Sequence, residues 1–304
     1  MPSGSELRRL EGKVALVTGS GRGFGRPVAV AYALEGARVV SVARTGSELA
    51  ITEETIRSKG GEVLTIQADL ADPDEILKLR DRVLDEYGKM DVIFNNAATS
   101  PWKTIDETTV DDWDRTLAVN LRAPFLLTKT FLEAMRGQGG GSIINVTSGA
   151  AVKGFVAEVA YCPSKYGLEG LTQCLALELK PYNIAVNTLG VAAPPGKGLK
   201  PTELTQEEAD HMPAEVRARY ADDESMVEAF RDAWTFMALQ DGDGVTGQRV
   251  STRRLAEELE RDGWDAVRER LKGRLTRAVY EPYDFPRSVR YQTREGGWRE
   301  LSFE

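Results

Sequence analysis

Residues 13–25 read KVALVTGSGRGFG, and the fold turns on them. Lys13 to Thr18 is an apolar, β-branched run of strand length. It passes directly into glycines at positions 19, 21, 23 and 25. Glycine permits a tight turn and lacks the Cβ that keeps a backbone away from a pyrophosphate. A helix should follow, with Pro27 in its first turn, where a missing N–H is tolerated. The positive end of that helix would face the phosphates. A plain tight turn accounts for the glycines equally well. Their place between strand and helix is nevertheless the context that dinucleotide binding requires.

Working outward, similar strands are predicted at 38–42 (RVVSV), 62–67 (EVLTIQ), 91–94 (DVIF), 142–147 (SIINVT) and 184–188 (IAVNT). Amphipathic stretches of helix length, such as 72–87 and 110–135, lie between them. Strands separated by helices imply crossover units and an α/β, doubly wound parallel sheet. Residues 245–250 (VTGQRV) would supply the last strand.

The pattern weakens after Gly190. Residues 191–235 are acidic and rich in Pro and Glu, with a helix expected near 214–230, and read as a lid insertion over the strand ends. In residues 251–304, Leu255, Leu259, Val267 and Leu271 form an apolar helix stripe. Trp264, Tyr280, Tyr283, Phe285, Tyr291 and Trp298 make packing against the core or a neighbouring subunit the expectation for this extension. The chain thus divides into an arm at 1–10, a single α/β domain at 11–250 and an extension at 251–304.

The bulk chemistry narrows the partners. A formal net charge of −8 argues against nucleic acid or an anionic membrane. No apolar run reaches the roughly 20 residues of a membrane span, and residues 1–10 lack the apolar core of a secretion signal. Cys162 and Cys174 are expected on one helix, about 18 Å apart at the helical rise. That distance excludes an internal disulfide and suits a reducing, cytoplasmic setting. The lone histidine, His211, excludes chemistry needing several imidazoles.

The end of the second strand bears on the choice of dinucleotide. A carboxylate there would bond the adenosine ribose and repel a 2′-phosphate; Ala43-Arg44-Thr45 stands there instead. Arg44 can grip a phosphate bidentately, Thr45 adds a hydroxyl, and Arg22 in the glycine turn can reach the same group. Singly, each arginine reads as a solvated surface charge. Together they favour NADP(H), with NAD(H) possible.

Tyr161 and Lys165 stand at i and i+4, on one face of a helix. An ammonium beside a phenol lowers its pKa, as proton exchange near neutrality requires. Ser148 follows the fifth strand directly, at a carboxyl end, where sheets of this type bind ligands. It can hold a substrate oxygen, or equally cap a turn.

These features together resemble the classical short-chain dehydrogenase/reductase family. Thr18 to Gly25, Asn95-Asn96-Ala97-Ala98, Val119-Asn120, Ser148 and Tyr161…Lys165 occur in its order and spacing, over about residues 11–250. The resemblance implies a Rossmann fold and a nicotinamide cofactor; with Arg22, Arg44 and Thr45 read above, its expected holders are Gly19, Gly21, Gly23, Phe24, Gly25, Asp69, Leu70, Asn96, Ala97, Tyr161 and Lys165. Asp69 would meet the adenine. Tyr161 would be the general acid/base, with Ser148 orienting the substrate oxygen. Lys165 would tune Tyr161 and hold the nicotinamide ribose, and Asn120 would place a water in a proton relay. Asn95 reads as more structural than catalytic. A homodimer or homotetramer through the helices at 110–135 and 161–179 is also implied.

The segment after Asn187 departs from the family. Its usual early Pro-Gly pair is replaced by Thr188-Leu189-Gly190-Val191-Ala192-Ala193, and Pro194-Pro195-Gly196 comes late. This departure keeps a second reading open, a catalytically silent dinucleotide-binding or sensing homologue. A third, an assembly component, has no feature in its favour. Met212, Tyr220, Met226, Phe230, Trp234, Phe236 and Met237 suit a moderately hydrophobic alcohol, ketone or aldehyde as substrate. A helix packed on the core would need the same residues.

Overall fold

The computed structural model describes residues 8–277, 286–292 and 298–303. Seven strands form one parallel sheet in the order β3-β2-β1-β4-β5-β6-β7. They are β1 Val14–Thr18, β2 Arg38–Ala43, β3 Glu62–Gln67, β4 Val92–Asn95, β5 Gly141–Thr147, β6 Ile184–Gly190 and β7 Arg249–Ser251. The chain leaves β3 at one edge and returns beside β1 with β4, so the direction of winding reverses between β1 and β4. In open sheets of this kind the crevice forms at that switch point, beyond the carboxyl ends of the strands.

Alternation along β1 divides the core in two. Ala15 and Val17 face a cluster that takes in α1 (Gly25–Leu34) and α9 (Asp223–Ala238). Val14 and Leu16 face the opposite cluster, with α3 (Pro73–Tyr87), α5 (Ala123–Gly137) and α6 (Tyr161–Leu179). Helix ends carry their own stop signals. Asp72 caps α3 through the Asp74 amide, and Gly88 closes it at φ +65°.

The helix expected at 214–230 divides. α7 (Gln206–His211) and α8 (Ala214–Arg217) precede α9. Between α8 and α9 the backbone turns aside to pair with Gly198, which donates to the Arg219 carbonyl at 2.8 Å and accepts from the Ala221 amide at 3.0 Å. Asp222 then restarts the helix by accepting from the Ser225 amide. Phe230, Trp234, Phe236 and Met237 of α9 are buried against α1 and the sheet. Core packing therefore accounts for most of the aromatic and Met content that had suggested an apolar ligand; Met226 both packs there and lines the cavity described below.

The extension begins as α10 (Thr252–Asp262) and α11 (Trp264–Leu271). Leu255, Leu259 and Val267 are buried, and Trp264 meets Phe236 edge-on at 5.5 Å. Thr276 then donates its amide to the Gly247 carbonyl at 2.9 Å, and its hydroxyl accepts from the Arg249 amide, covering backbone at the end of the sheet. β8 (Ser288–Gln292) and β9 (Trp298–Ser302) form a separate antiparallel hairpin. Trp298 is 60% exposed there, so this aromatic is not packed into the core. Tyr280, Tyr283 and Phe285 lie outside the described residues. Leu10, in the N-terminal arm, is fully buried, and Arg9 is bonded to Glu35 and Asp232.

Candidate active site

The glycine turn packs where only glycine fits. Gly19 has φ +64°, and a Cβ on it would stand 2.8 Å from the Ala97 Cα. The Asn96 side chain donates to the Thr18 and Gly19 carbonyls at 2.9 and 3.1 Å, and Thr18 Oγ1 accepts from the Asn96 and Ala97 amides. Asn96 and Ala97 thus clamp the end of β4 to the turn. A Cβ on Gly25 would collide with Gly19 and Asn96, whereas Gly23, at φ +61°, faces open space.

One cavity runs from this turn across the strand ends. Gly19, Gly21, Arg22, Gly23 and Phe24 line its start, and Arg44, Thr45, Asp69 and Leu70 one side. Asn96, Ala97, Tyr161 and Lys165 line its far end. Gly25, Ser148 and Asn120 do not line it. Lid residues, among them Leu199, Pro201, Thr202 and Gln206, roof it. The cradle fits a dinucleotide: a Cβ-free wall, an α-helix amino end and a row of strand termini lie along one trough.

The catalytic candidates converge at the end of β5. Tyr161 is the first residue of α6, and Lys165 stands one turn on, its Nζ 5.6 Å from the Tyr161 ring centroid. Lys165 is buried and donates to the Val146 carbonyl at 2.8 Å. Burial pulls its ammonium down to about 8, with Glu169 opposing. Burial pushes the Tyr161 phenol up to about 12, while a hydrogen bond with the Ser148 side chain works in the opposite direction. The lowered phenol expected from the Tyr/Lys spacing is thus not what this arrangement produces: desolvation outweighs the Ser148 hydrogen bond, Glu158 and Cys162 add to it, and the Lys165 ammonium is engaged by Val146. Ser148 also caps the 149–151 turn, accepting from the Ala150 amide at 3.2 Å, as the capping reading expected.

Asn120 sits within a π-helical turn, Ala118–Arg122, between α4 (Val110–Leu117) and α5. Such turns recur at functional sites. Its side chain accepts from the Thr99 amide at 2.9 Å and donates to the Thr99 carbonyl and Ser164 Oγ, each at 3.0 Å. It therefore clamps the loop after β4 to the catalytic helix. Asn95 donates to Asn145, and Asn145 to Thr172, a buried tie between β4, β5 and α6 that supports its structural reading. Asp69 is bonded to Arg115 at 3.0 Å and to the Ala71 amide.

Three acids beside the site escaped sequence reasoning. Glu48 pairs with Arg22. Glu203, on the lid, accepts from Thr99 Oγ1 and the Ser100 amide. Glu169 pairs with Arg249, which also donates to the Ser148 carbonyl at 2.8 Å. The only signal in the sequence was that Glu169 repeats the helical spacing one turn beyond Lys165.

Comparison with known proteins places this arrangement. A short-chain dehydrogenase family model matches residues 13–211, most of the chain. The chain is 37% identical over 212 residues to an uncharacterized oxidoreductase of Thermotoga maritima, covering 67% of this chain and 83% of that one. It is 36% identical over 181 residues to D-threitol dehydrogenase of Mycolicibacterium smegmatis, covering 60% and 70% respectively. Among solved structures, a metagenomic short-chain oxidoreductase in complex with NADP superposes with a TM-score of 0.65 at 30% identity, covering 80% of this chain and 98% of that one. The chain belongs to the short-chain dehydrogenase family and is an oxidoreductase of it, using a nicotinamide cofactor. Among the described residues, no helix is long and apolar enough to cross a membrane.

Proposed function

We propose that the protein is an NADP(H)-dependent oxidoreductase that interconverts an alcohol and a carbonyl on a small, moderately hydrophobic substrate, with Tyr161 as the general acid/base. The observation that carries the reading is that Tyr161 and Lys165 line the cavity at the end of β5, with the Ser148 side chain hydrogen-bonded to Tyr161. The glycine turn would hold the pyrophosphate, Asn96 and Ala97 the part of the cofactor towards Tyr161 and Lys165, Asp69 and Leu70 the adenine, and Arg44, Thr45 and Arg22 the 2′-phosphate. When bound, the nicotinamide supplies or accepts the hydride. Ser148 and Tyr161 hold the substrate oxygen between them. A phenol enters protonated at neutral pH and can donate to that oxygen in the reductive direction, while burial, which raises its pKa, works against release of the proton. Lys165 keeps a positive charge beside it, and Asn120 holds the loop that borders the site.

The family's NADP-bound structures support the cofactor reading. Exposed apolar side chains on and beside α4, α5 and α6, Trp113, Phe125, Leu177 and Tyr182, support a homodimer or homotetramer through these helices. A cytoplasmic setting fits the two free cysteines.

The test is a panel of aldehydes, ketones and quinones assayed with NADPH, beside NADPH binding followed by fluorescence. Tyr161→Phe should lose at least about a thousandfold in turnover while binding stays within a few-fold. A Tyr161→Phe enzyme that keeps its turnover would refute the assignment. NADPH binding without turnover of any substrate would favour the silent, sensing reading.

A further inference from the structure

Two arginines border the adenosine end of the cavity, and the fold treats them differently. Arg44 is exposed at the end of β2. Arg22 is engaged: its Nη1 lies 3.0 and 2.9 Å from the two carboxylate oxygens of Glu48, and its Nη2 donates to the Thr202 carbonyl of the lid at 3.4 Å. The side chains of Arg22 and Glu48 are 22% and 7% exposed. Glu48 also accepts from the amide of Gln206, the first residue of α7 in the lid, at 3.2 Å. Gly21 makes this corner possible, because a Cβ there would crowd Glu48 Cβ and Ala43 Cβ at 3.1 Å each.

Glu48 enters the cavity from the first turn of α2 (Gly46–Ser58), beside Arg44 and Thr45. A carboxylate in this corner accepts hydrogen bonds from ribose hydroxyls and repels a 2′-phosphate. Here it lies hidden from a reading that inspects only the end of the second strand. We propose that Glu48 sets the choice between NADP(H) and NAD(H) by competing with the 2′-phosphate for Arg22. This rests on the cofactor reading above. To meet a phosphate, Arg22 must either turn its Nη1 away from a nearly buried carboxylate, which would keep only the Gln206 amide, or offer Nη2 while the Glu48 charge stays beside it. NAD(H) requires no such exchange. The preference for NADP(H) is therefore smaller than two free arginines would produce, and Glu48 is the residue that holds it down.

The experiment is fluorescence titration of NADPH and NADH against four proteins: wild type, Glu48→Gln, Arg22→Gln and the double variant. Glu48→Gln preserves shape and an acceptor for Gln206 while removing the charge. It should tighten NADPH roughly fivefold to tenfold and leave NADH unchanged or weaker. Arg22→Gln should weaken NADPH more than NADH, because the Glu48 charge then faces the phosphate alone. The double variant should recover part of that loss. Glu48→Asp, which shortens the reach to Arg22, should move the NADPH/NADH ratio in the same direction as Glu48→Gln. If both Glu48 variants leave the ratio within twofold of wild type, or shift the two nucleotides equally, Glu48 is only a structural partner and the proposal fails. A wild type that binds neither nucleotide sinks the cofactor reading itself, an outcome distinct from binding with an unmoved ratio.

Discussion

Replacing Arg249 by Met should destabilise the protein through the end of the strand that carries Ser148. Arg249 donates to Glu169 Oε1 at 2.7 Å and to the Ser148 carbonyl at 2.8 Å. Glu169 also accepts from the Thr147 and Thr188 hydroxyls and is 14% exposed; Arg249 is 26% exposed. The variant keeps the apolar stem but leaves a carboxylate in a poorly hydrated place with two hydroxyl donors, no ion-pair partner and only the Coulombic pull of Lys165. Breaking a fully buried pair costs about 3–5 kcal/mol. Partial exposure and the surviving hydroxyls reduce this to about 2–3 kcal/mol. The assay is urea unfolding of wild type, Arg249→Met, Glu169→Gln and the double variant, fitted with a common m value. The double variant should be less damaged than the sum of the single changes by at least about 1 kcal/mol, because removing both charges leaves none uncompensated. A cost below about 1 kcal/mol for Arg249→Met, or strict additivity, would mean that the pair is solvated and anchors nothing.

Two further outcomes follow from the same geometry. Gly19→Ala should abolish nucleotide binding and lower stability by more than about 1 kcal/mol, since φ is +64° and the new methyl meets the Ala97 backbone at 2.8 Å; an unchanged unfolding midpoint would contradict this. The pKa of Lys165, lowered from 10.5 to about 8 in the fold, makes its charged form oppose folding. That penalty is complete below about 8 and disappears as the pH rises towards 10.5, so wild type should gain stability relative to Lys165→Met between pH 7 and pH 10, and parallel melting curves across that range would be the contrary result.

Much of this protein is legible from short windows of sequence. The strand, glycine turn and helix at 13–34 are encoded locally, because a turn at positive φ and a continuous β-branched apolar run need no distant partner. The same holds for Tyr161 and Lys165, whose meeting is a property of the helical repeat. The doubly wound class of sheet followed from the alternation of strands and helices with right-handed crossovers, and the stripe through Leu255, Leu259 and Val267 from the helical period.

What tertiary structure alone decided is pairing and solvent exclusion between distant positions. Glu48 finds Arg22 across 26 residues and the Gln206 amide across 158, and Arg249 reaches Ser148 across 101. No periodicity links such positions; they meet because the strand ends converge and the lid folds over them. The break between α8 and α9 has the same origin, since the backbone there bonds to Gly198, far from it in sequence. The shift of Tyr161 is the sharpest case. The helix placed the ammonium beside the phenol as the spacing implied, but the direction of the shift was settled by how much water the packed chain excludes. A sequence of neighbours carries proximity along a helix; it does not carry desolvation, which belongs to the whole fold.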